Sequence, residues 1–393
     1  MASREPQRIL VRGVNWLGDA VMTTPALLRL RESRPEAHIT LLTHAKLKGL
    51  WQGHPAIDAV ETFGDEDSAW RIGRRLRAGK FDVGLVLPNS PRSALELWVA
   101  GIPQRIGHAG PWRNWFLTQA VPTRSDAVAM HKRSKGEIER LIGQGGVRMS
   151  VGKPAEAHHI YQYLNLTTAM GAKPEVLPPK LSVSDEAVAQ FVNKFKLGVG
   201  TSEAPVWFGL NAGAEYGPAK RWPEERFTAA AVQIQKRTRC RWLIFGLKTE
   251  KESAERMVAS IQRAVEKEFG REATAGNPCA VNLAGATSLG ELCAGLKLCR
   301  VLLTNDSGPM HVAAALGTPV VVPFGSTSPE LTGPGLPGDA RHQLLRANVP
   351  CAPCFLRECP IDFRCMNGIG VEEVVEAVLK ADQKNQAARS GLN

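Results

Sequence analysis

Short runs rich in Val, Ile and Leu alternate along this chain with longer stretches whose apolar residues recur at helical spacing. In the first half the apolar runs are Arg8–Arg12, His38–Thr43 and Phe81–Pro88, and AVMTTPALLRLRESRP lies between the first two with a helical pattern. In the second half the runs are Val206–Asn211, Arg241–Phe245, Val301–Thr304 and Pro319–Phe324. Each is short and is followed by glycine or polar turn residues, the pattern of buried parallel strands in βαβ units. The predicted fold class is α/β, with two doubly wound domains. The turn-rich stretches PEVLPPK and LGVGTSEAP set the boundary between Pro174 and Pro205. The expected division is residues 1–180, residues 181–370, and a last helix within 371–393 that is able to pack back across the junction. Open α/β sheets bind ligands beyond the carboxyl ends of their strands, so the chemistry is sought just after each strand.

Composition adds direction to this picture. At 393 residues, 44% of them apolar and 22% charged, the chain is globular and long enough for two cores. No apolar run approaches the roughly 18 residues of a spanning helix. The opening MASREPQRILVRG passes from a polar tail into a strand without a secretory apolar stretch, so a cytoplasmic protein is expected. The net charge of +11 is uneven: +9 falls in residues 1–180 and +2 in residues 181–393. An anionic partner for the first half follows, whether membrane, phosphorylated lipid or nucleic acid, and a solvated basic face fits equally well. Eight cysteines in so long a chain do not form a secreted disulfide scaffold.

Five segments carry candidate chemistry. In RILVRGVNWLGDAVMTTPALL a strand ends near Gly13, and Asn15, Trp16, Gly18 and Asp19 open a helix. Asp19 is the only carboxylate there; it suits a general base, and locally it suits a helix cap better. In LPNSPRSAL, Asn89, Ser90 and Arg92 follow a strand end, where an ordinary turn competes with a sugar or anion contact. In FGLNAGAEYGPAKRWP, Gly213 and Gly217 open the backbone, and Lys220 and Arg221 are placed to hold a diphosphate. In VLLTNDSGPMHVAAALGTPVVVPFGSTSPE, Asn305, Asp306, Ser307 and Gly308 lie where strand meets helix, His311 follows one turn in, and Gly325 and Ser326 begin a second hydroxyl-rich loop. Capping by Asp306 and Ser307 is the alternative account, which two such loops on adjacent strands disfavour. The fifth, CAPCFLRECPIDFRC, sets Cys351, Cys354, Cys359 and Cys365 within fifteen residues. That is the ligand type of structural zinc, at a spacing tight for a zinc ribbon, and reduced surface thiols are favoured over metal. Trp98, Trp112, Trp115 and Phe116 stand near Arg92, Arg105 and Arg113. Core packing is favoured for them over a lipid interface.

The motifs NWLGDAVMTTPAL, LPNSPRSAL, NAGAEYGPAKRWP and TNDSGPMHVAAALGTPVVVPFGSTSPE occur in this order and span most of the chain. Together they resemble the ADP-heptose:lipopolysaccharide heptosyltransferases of glycosyltransferase family 9, with wording nearest the second branch. The resemblance implies a GT-B fold, two Rossmann-like domains facing across a cleft, with the acceptor on the first and ADP-heptose on the second. It makes Asp19 the base, reversing the local preference for a cap, and makes Lys220 the donor-phosphate contact. Gly213, Asp306, Ser307, Gly308, His311, Gly325 and Ser326 become donor residues, and Asn15, Gly18, Asn89 and Arg92 acceptor residues. The late cysteine cluster is frequent but not universal in the second branch, so the chemistry does not depend on it.

The expected reaction is one inverting displacement from ADP-L-glycero-D-manno-heptose to the heptose of a Kdo-containing, heptosylated lipid A. The enzyme would work peripherally at the inner face of the cytoplasmic membrane. No cofactor is required, since cations and a helix start can stabilise the departing ADP; zinc at the four cysteines would be structural. The alternatives are another branch of the family, a non-catalytic nucleotide-sugar-binding relative, and a Rossmann oxidoreductase, which the missing GxGxxG disfavours. Nucleic-acid binding lacks a recognition motif.

Overall fold

The computed structural model describes residues 7–145, 155–198, 205–270 and 278–391. The chain divides into two compact units, the first formed by Met1–Val128 and Pro154–Ser182, the second by Ala129–Lys153 and Val183–Asn393. The first unit ends at Ser182, and 129–153 groups with the second unit. Most of the LGVGTSEAP stretch lies outside the described residues.

The first unit is a six-stranded sheet of β1 (Arg8–Arg12), β2 (His38–His44), β3 (Ala59–Phe63), β4 (Val83–Val86), β5 (Gln104–His108) and β6 (Gln119–Val121). The order is β3-β2-β1-β4-β5-β6, and every pairing is parallel. Ile9, Leu10 and Val11 of β1 are fully buried, as the continuous apolar run required of a strand covered on both faces. Burying each such side chain stabilises the fold by roughly 1.5–3 kcal/mol.

The second unit repeats the plan with β7 (Trp207–Asn211), β8 (Arg241–Ile244), β9 (Ala280–Asn282), β10 (Leu302–Thr304), β11 (Val320–Pro323) and β12 (Gln343–Leu345). Its order is β12-β11-β10-β7-β8-β9, again with all pairings parallel. The helix Val371–Ser390 lies on its own unit. Val374, Val375 and Val378 join the core beside Phe227 and Trp242. Asp382 takes Arg300 in a bidentate pair at 2.8 and 2.6 Å.

In each sheet the chain reverses direction of build between two central strands, β1 and β4 in the first and β7 and β10 in the second. The gap at such a switch is where the following loops diverge and leave room for a ligand. The loops after β1 and β4 carry Asp19 and Asn89. Those after β7 and β10 carry Lys220 and Asp306. Four of the five sequence segments therefore open at a switch point.

Candidate functional site

In the first unit the loop after β1 is organised by Arg12, the strand's last residue. Its guanidinium is 3% exposed and meets the fully buried Glu96 at 2.7 Å. A second nitrogen donates to the Asn15 side-chain oxygen at 2.9 Å and another bond reaches the Gly13 carbonyl. Buried ion pairs contribute little net stability, because both charges lose their water. What this pair does is fix the loop: Arg12 orients Asn15, and Glu96 also lies 3.7 Å from Arg92. Two predicted acceptor residues, on different loops, thus share one buried charge network.

Asp19 is not a cap. The N-cap position of the helix Leu17–Met22 is Trp16, without a side-chain cap bond, and Asp19 sits in the first turn, half-buried. There the unpaired N–H groups of the helix start favour a carboxylate. The Tyr163 hydroxyl donates to it, and burial together with the Asp19 charge pushes that phenol well above its ordinary value. Tyr163 is therefore a permanent donor that holds the carboxylate in place. Ser90 caps the helix Pro91–Val99, accepting from the Ser93 N–H at 3.3 Å. Asn89 is held differently: its side-chain oxygen accepts from Arg113 Nη1 at 3.0 Å. Arg113 is 1% exposed, its Nε and Nη2 have no hydrogen-bond partner among the described residues, and burial lowers its pKa. A buried guanidinium with unused donors beside Asn89 is matched to an anionic group.

In the second unit three loops converge on Asp306. Its Oδ2 meets Lys220 Nζ at 2.6 Å and accepts from Thr327 Oγ1 at 2.5 Å, with Asp306 4% exposed. The loop after β7 thereby touches the loops after β10 and β11. Lys220 also lies 4.8 Å from the centre of the Tyr216 ring. Ser307 occupies the N-cap of Gly308–Ala315 without capping it; its hydroxyl accepts instead from Asn211 Nδ2 at 3.1 Å. The capping account of Asp306 and Ser307 thus fails, because the Asp306 side chain holds the loops after β7 and β11 and the Ser307 hydroxyl bonds to the end of β7. His311 is buried one turn into this helix. Arg221, expected beside Lys220 on a diphosphate, lies 3.6 Å from Glu250.

Of the two loop glycines, only Gly217 is required by its surroundings. A Cβ on Gly213 would stand 2.3 Å from the Glu250 carboxylate, the end of a side chain that can swing aside. Gly217 has φ +151°, and a Cβ there would meet the Arg357 carbonyl oxygen at 2.5 Å. Gly325 is crowded by Met366 at 3.0 Å, and the Ser326 hydroxyl is buried without a hydrogen-bond partner among the described residues.

The cysteine segment braces these loops. Cys354 and Phe355 donate their N–H groups to the Ser326 carbonyl at 3.1 and 2.7 Å, and the Phe355 carbonyl accepts from the Tyr216 hydroxyl at 2.8 Å. Cys351, Cys354, Cys359 and Cys365 line one cavity, which Ser326 and Ala219 also border. All four are free thiols. Burial pushes Cys351 and Cys354 up and raises Cys365 to about 12. The donor type fits zinc, yet among the described residues no three His, Cys, Asp or Glu side chains are gathered closely enough to hold a metal.

Sequence reasoning missed Arg12, Glu96, Arg113 and Tyr163. The first two carry a usable signal, a charge ending the run RILVR and a lone acid inside ALELWV. Arg113 and Tyr163 carry none, because only the fold brings them to Asn89 and Asp19.

The description Glycosyltransferase family 9 (heptosyltransferase) matches residues 146–363, more than half of the chain. The chain is 30% identical over 333 residues to lipopolysaccharide heptosyltransferase 2 of Escherichia coli K12, covering 83% of this chain and 85% of that one. It is 28% identical over 335 residues to lipooligosaccharide heptosyltransferase 2 of Haemophilus ducreyi, covering 83% and 86%. Its fold matches the solved structure of E. coli ADP-heptose lps heptosyltransferase II with a TM-score of 0.71 at 26% identity, over 97% of this chain and 100% of the other. Two Rossmann-like units and these likenesses make the architecture GT-B. The chain belongs to glycosyltransferase family 9, the heptosyltransferases, and is a glycosyltransferase.

Proposed function

We propose that this enzyme moves heptose from ADP-L-glycero-D-manno-heptose onto the heptose of a Kdo-containing, heptosylated lipid A, at the cytoplasmic face of the inner membrane. The observation that carries the reading is the convergence of three strand-end loops on Asp306, which holds Lys220 at a switch point, where its ammonium would serve as the phosphate-binding cation. The likeness to heptosyltransferase 2 proteins over most of the chain supports the donor and the branch. Among the described residues no helix is long and apolar enough to cross a membrane, so attachment would be peripheral.

The first unit supplies the base. Asp19, steadied by Tyr163 and the helix start, takes the proton of the acceptor hydroxyl as that oxygen attacks the anomeric carbon. Asn15 and Arg92, held by the Arg12–Glu96 pair, and Asn89, held by Arg113, orient the acceptor together with Gly18. The second unit stabilises the leaving ADP. Lys220, His311 and the helix start at Ser307 and Gly308 face the growing phosphate charge, while Gly213, Gly325 and Ser326 let the backbone approach. Inversion at the anomeric carbon follows from a single displacement.

Transfer assays with two acceptors test this. Product is expected on lipid A bearing Kdo and one heptose. Activity only on the acceptor lacking heptose moves the enzyme to another branch. Activity on neither, with ADP still bound, removes the heptosyl reading. The four-thiol cavity is proposed as a packed brace for the Ser326 loop, with zinc as the competing occupant. Metal analysis of purified protein decides: well below one equivalent is expected, and one stoichiometric zinc would establish a structural metal.

A further inference from the structure

The first unit exposes an aromatic surface that the transfer chemistry does not use. Five of its six tryptophans are exposed, whereas Trp207, Trp222 and Trp242 of the second unit are buried. Trp70 is 51% exposed, Trp98 46%, Trp112 70% and Trp115 75%. Core packing, expected from sequence for the last three, is therefore wrong for them. The cause lies in the helices beneath. Ala69–Leu76 buries Ala69, Ile72, Gly73 and Leu76, and packs so closely on Pro91–Val99 that a Cβ on Gly73 would stand 2.5 Å from Val99. That contact turns Trp70 and Trp98 outward side by side, with ring centres 6.3 Å apart, and Phe116 continues the row 5.9 Å from Trp98. Trp112 and Trp115 pair at 5.7 Å on the adjoining turn.

Two features mark this as a built surface. Trp112 has φ +61°, a left-handed backbone that a bulky side chain adopts only at a cost, and the result is an indole in solvent. The turn is anchored from below, since Arg113 between the two tryptophans is buried and holds Asn89. The rim is cationic: Arg71, Arg74 and Arg75 are exposed on the same helix as Trp70, and Arg77 and Lys80 follow. Indoles with an apolar body and one N–H donor suit the boundary between acyl chains and headgroups, and arginines around them suit anionic headgroups.

We propose that this Trp70–Trp98–Trp112–Trp115 surface docks the enzyme on an anionic lipid bilayer. The proposal rests on the reading of the acceptor as a membrane lipid. Docking there would concentrate the enzyme on the plane that holds its acceptor, and Arg113 ties the docking turn to the acceptor residue Asn89.

Full-length protein is sedimented with phosphatidylethanolamine vesicles containing phosphatidylglycerol and, separately, with phosphatidylcholine vesicles. Binding to the first and not the second is expected. Trp112→Ser with Trp115→Ser, and separately Arg71→Gln with Arg74→Gln, are each expected to lower the partition at least about tenfold. Turnover on a deacylated, water-soluble acceptor should be unchanged in both variants, while turnover on acceptor embedded in vesicles falls. Absence of wild-type binding to the anionic vesicles, or variants that bind as wild type does, overturns the proposal. So does concentration-dependent self-association that the tryptophan variant abolishes while vesicle binding persists, which would make the patch a contact between two copies. Vesicle binding needs no sugar chemistry, so failure of the soluble-acceptor assay with docking intact would strike the transferase reading alone.

Discussion

Asp19→Asn is expected to lower turnover by about 10³-fold or more while ADP binding and the fold persist, since a positioned general base is worth roughly 10²–10⁴. The substitution is close to isosteric. The amide oxygen can still accept from the Tyr163 hydroxyl, so the side chain keeps its place. What disappears is a group able to take a proton from the acceptor hydroxyl. The competing account is structural, because a carboxylate in the first turn of Leu17–Met22 is favoured by the helix start. That contribution is about 0.3–1 kcal/mol, too small to unfold the unit. Thermal melting, ADP calorimetry and turnover on one preparation separate the two. Lost turnover with intact melting and ADP affinity identifies the base. Joint loss of all three would make Asp19 a structural residue.

The strands legible in the sequence are the central ones. β1, β2, β4, β7, β8, β10 and β11 were each marked by an apolar run, because they are covered on both faces. The strands that escaped are β3, β5, β6, β9 and β12, four of them at sheet edges and β5 next to an edge. Their sequences AVETF, QRIGH, QAV, AVN and QLL are short and mix polar with apolar residues. An edge strand has fewer neighbours to cover it, so little in its composition separates it from a loop. The site divides in the same way. Residues that follow a central strand directly, such as Asp19, Asn89, Lys220 and Asp306, could be named. Their partners come from other elements: Tyr163 from the helix His159–Thr168, Arg113 from the turn after β5, and Thr327 from the loop after β11. The pairing of Lys220 with Asp306 crosses 86 residues of chain and appears only when β7 and β10 lie side by side, with Asn211 opposite Thr304.

That pairing shapes the second large expectation. Lys220→Met should weaken ADP binding by about 10–100-fold, the worth of one charged hydrogen bond of roughly 1.5–3 kcal/mol. Turnover should fall further, by about 10²–10³, because the phosphate charge grows as the glycosidic bond breaks. Adenosine, which lacks the diphosphate, should bind the variant and the wild type alike. The single substitution also strands the Asp306 carboxylate at 4% exposure with Thr327 as its remaining partner among the described residues. Removing one member of a buried pair costs about 3–5 kcal/mol, so a fall in melting temperature is expected and by itself says nothing about ADP. Lys220→Met combined with Asp306→Asn removes both charges and should recover most of the stability. If the ammonium contacts the phosphates, the double variant stays weak for ADP and slow in turnover. If ADP affinity and turnover return with the melting temperature, Lys220 serves only as the counter-ion of Asp306, and the phosphate contact must be sought elsewhere on the loops after β7, β10 and β11.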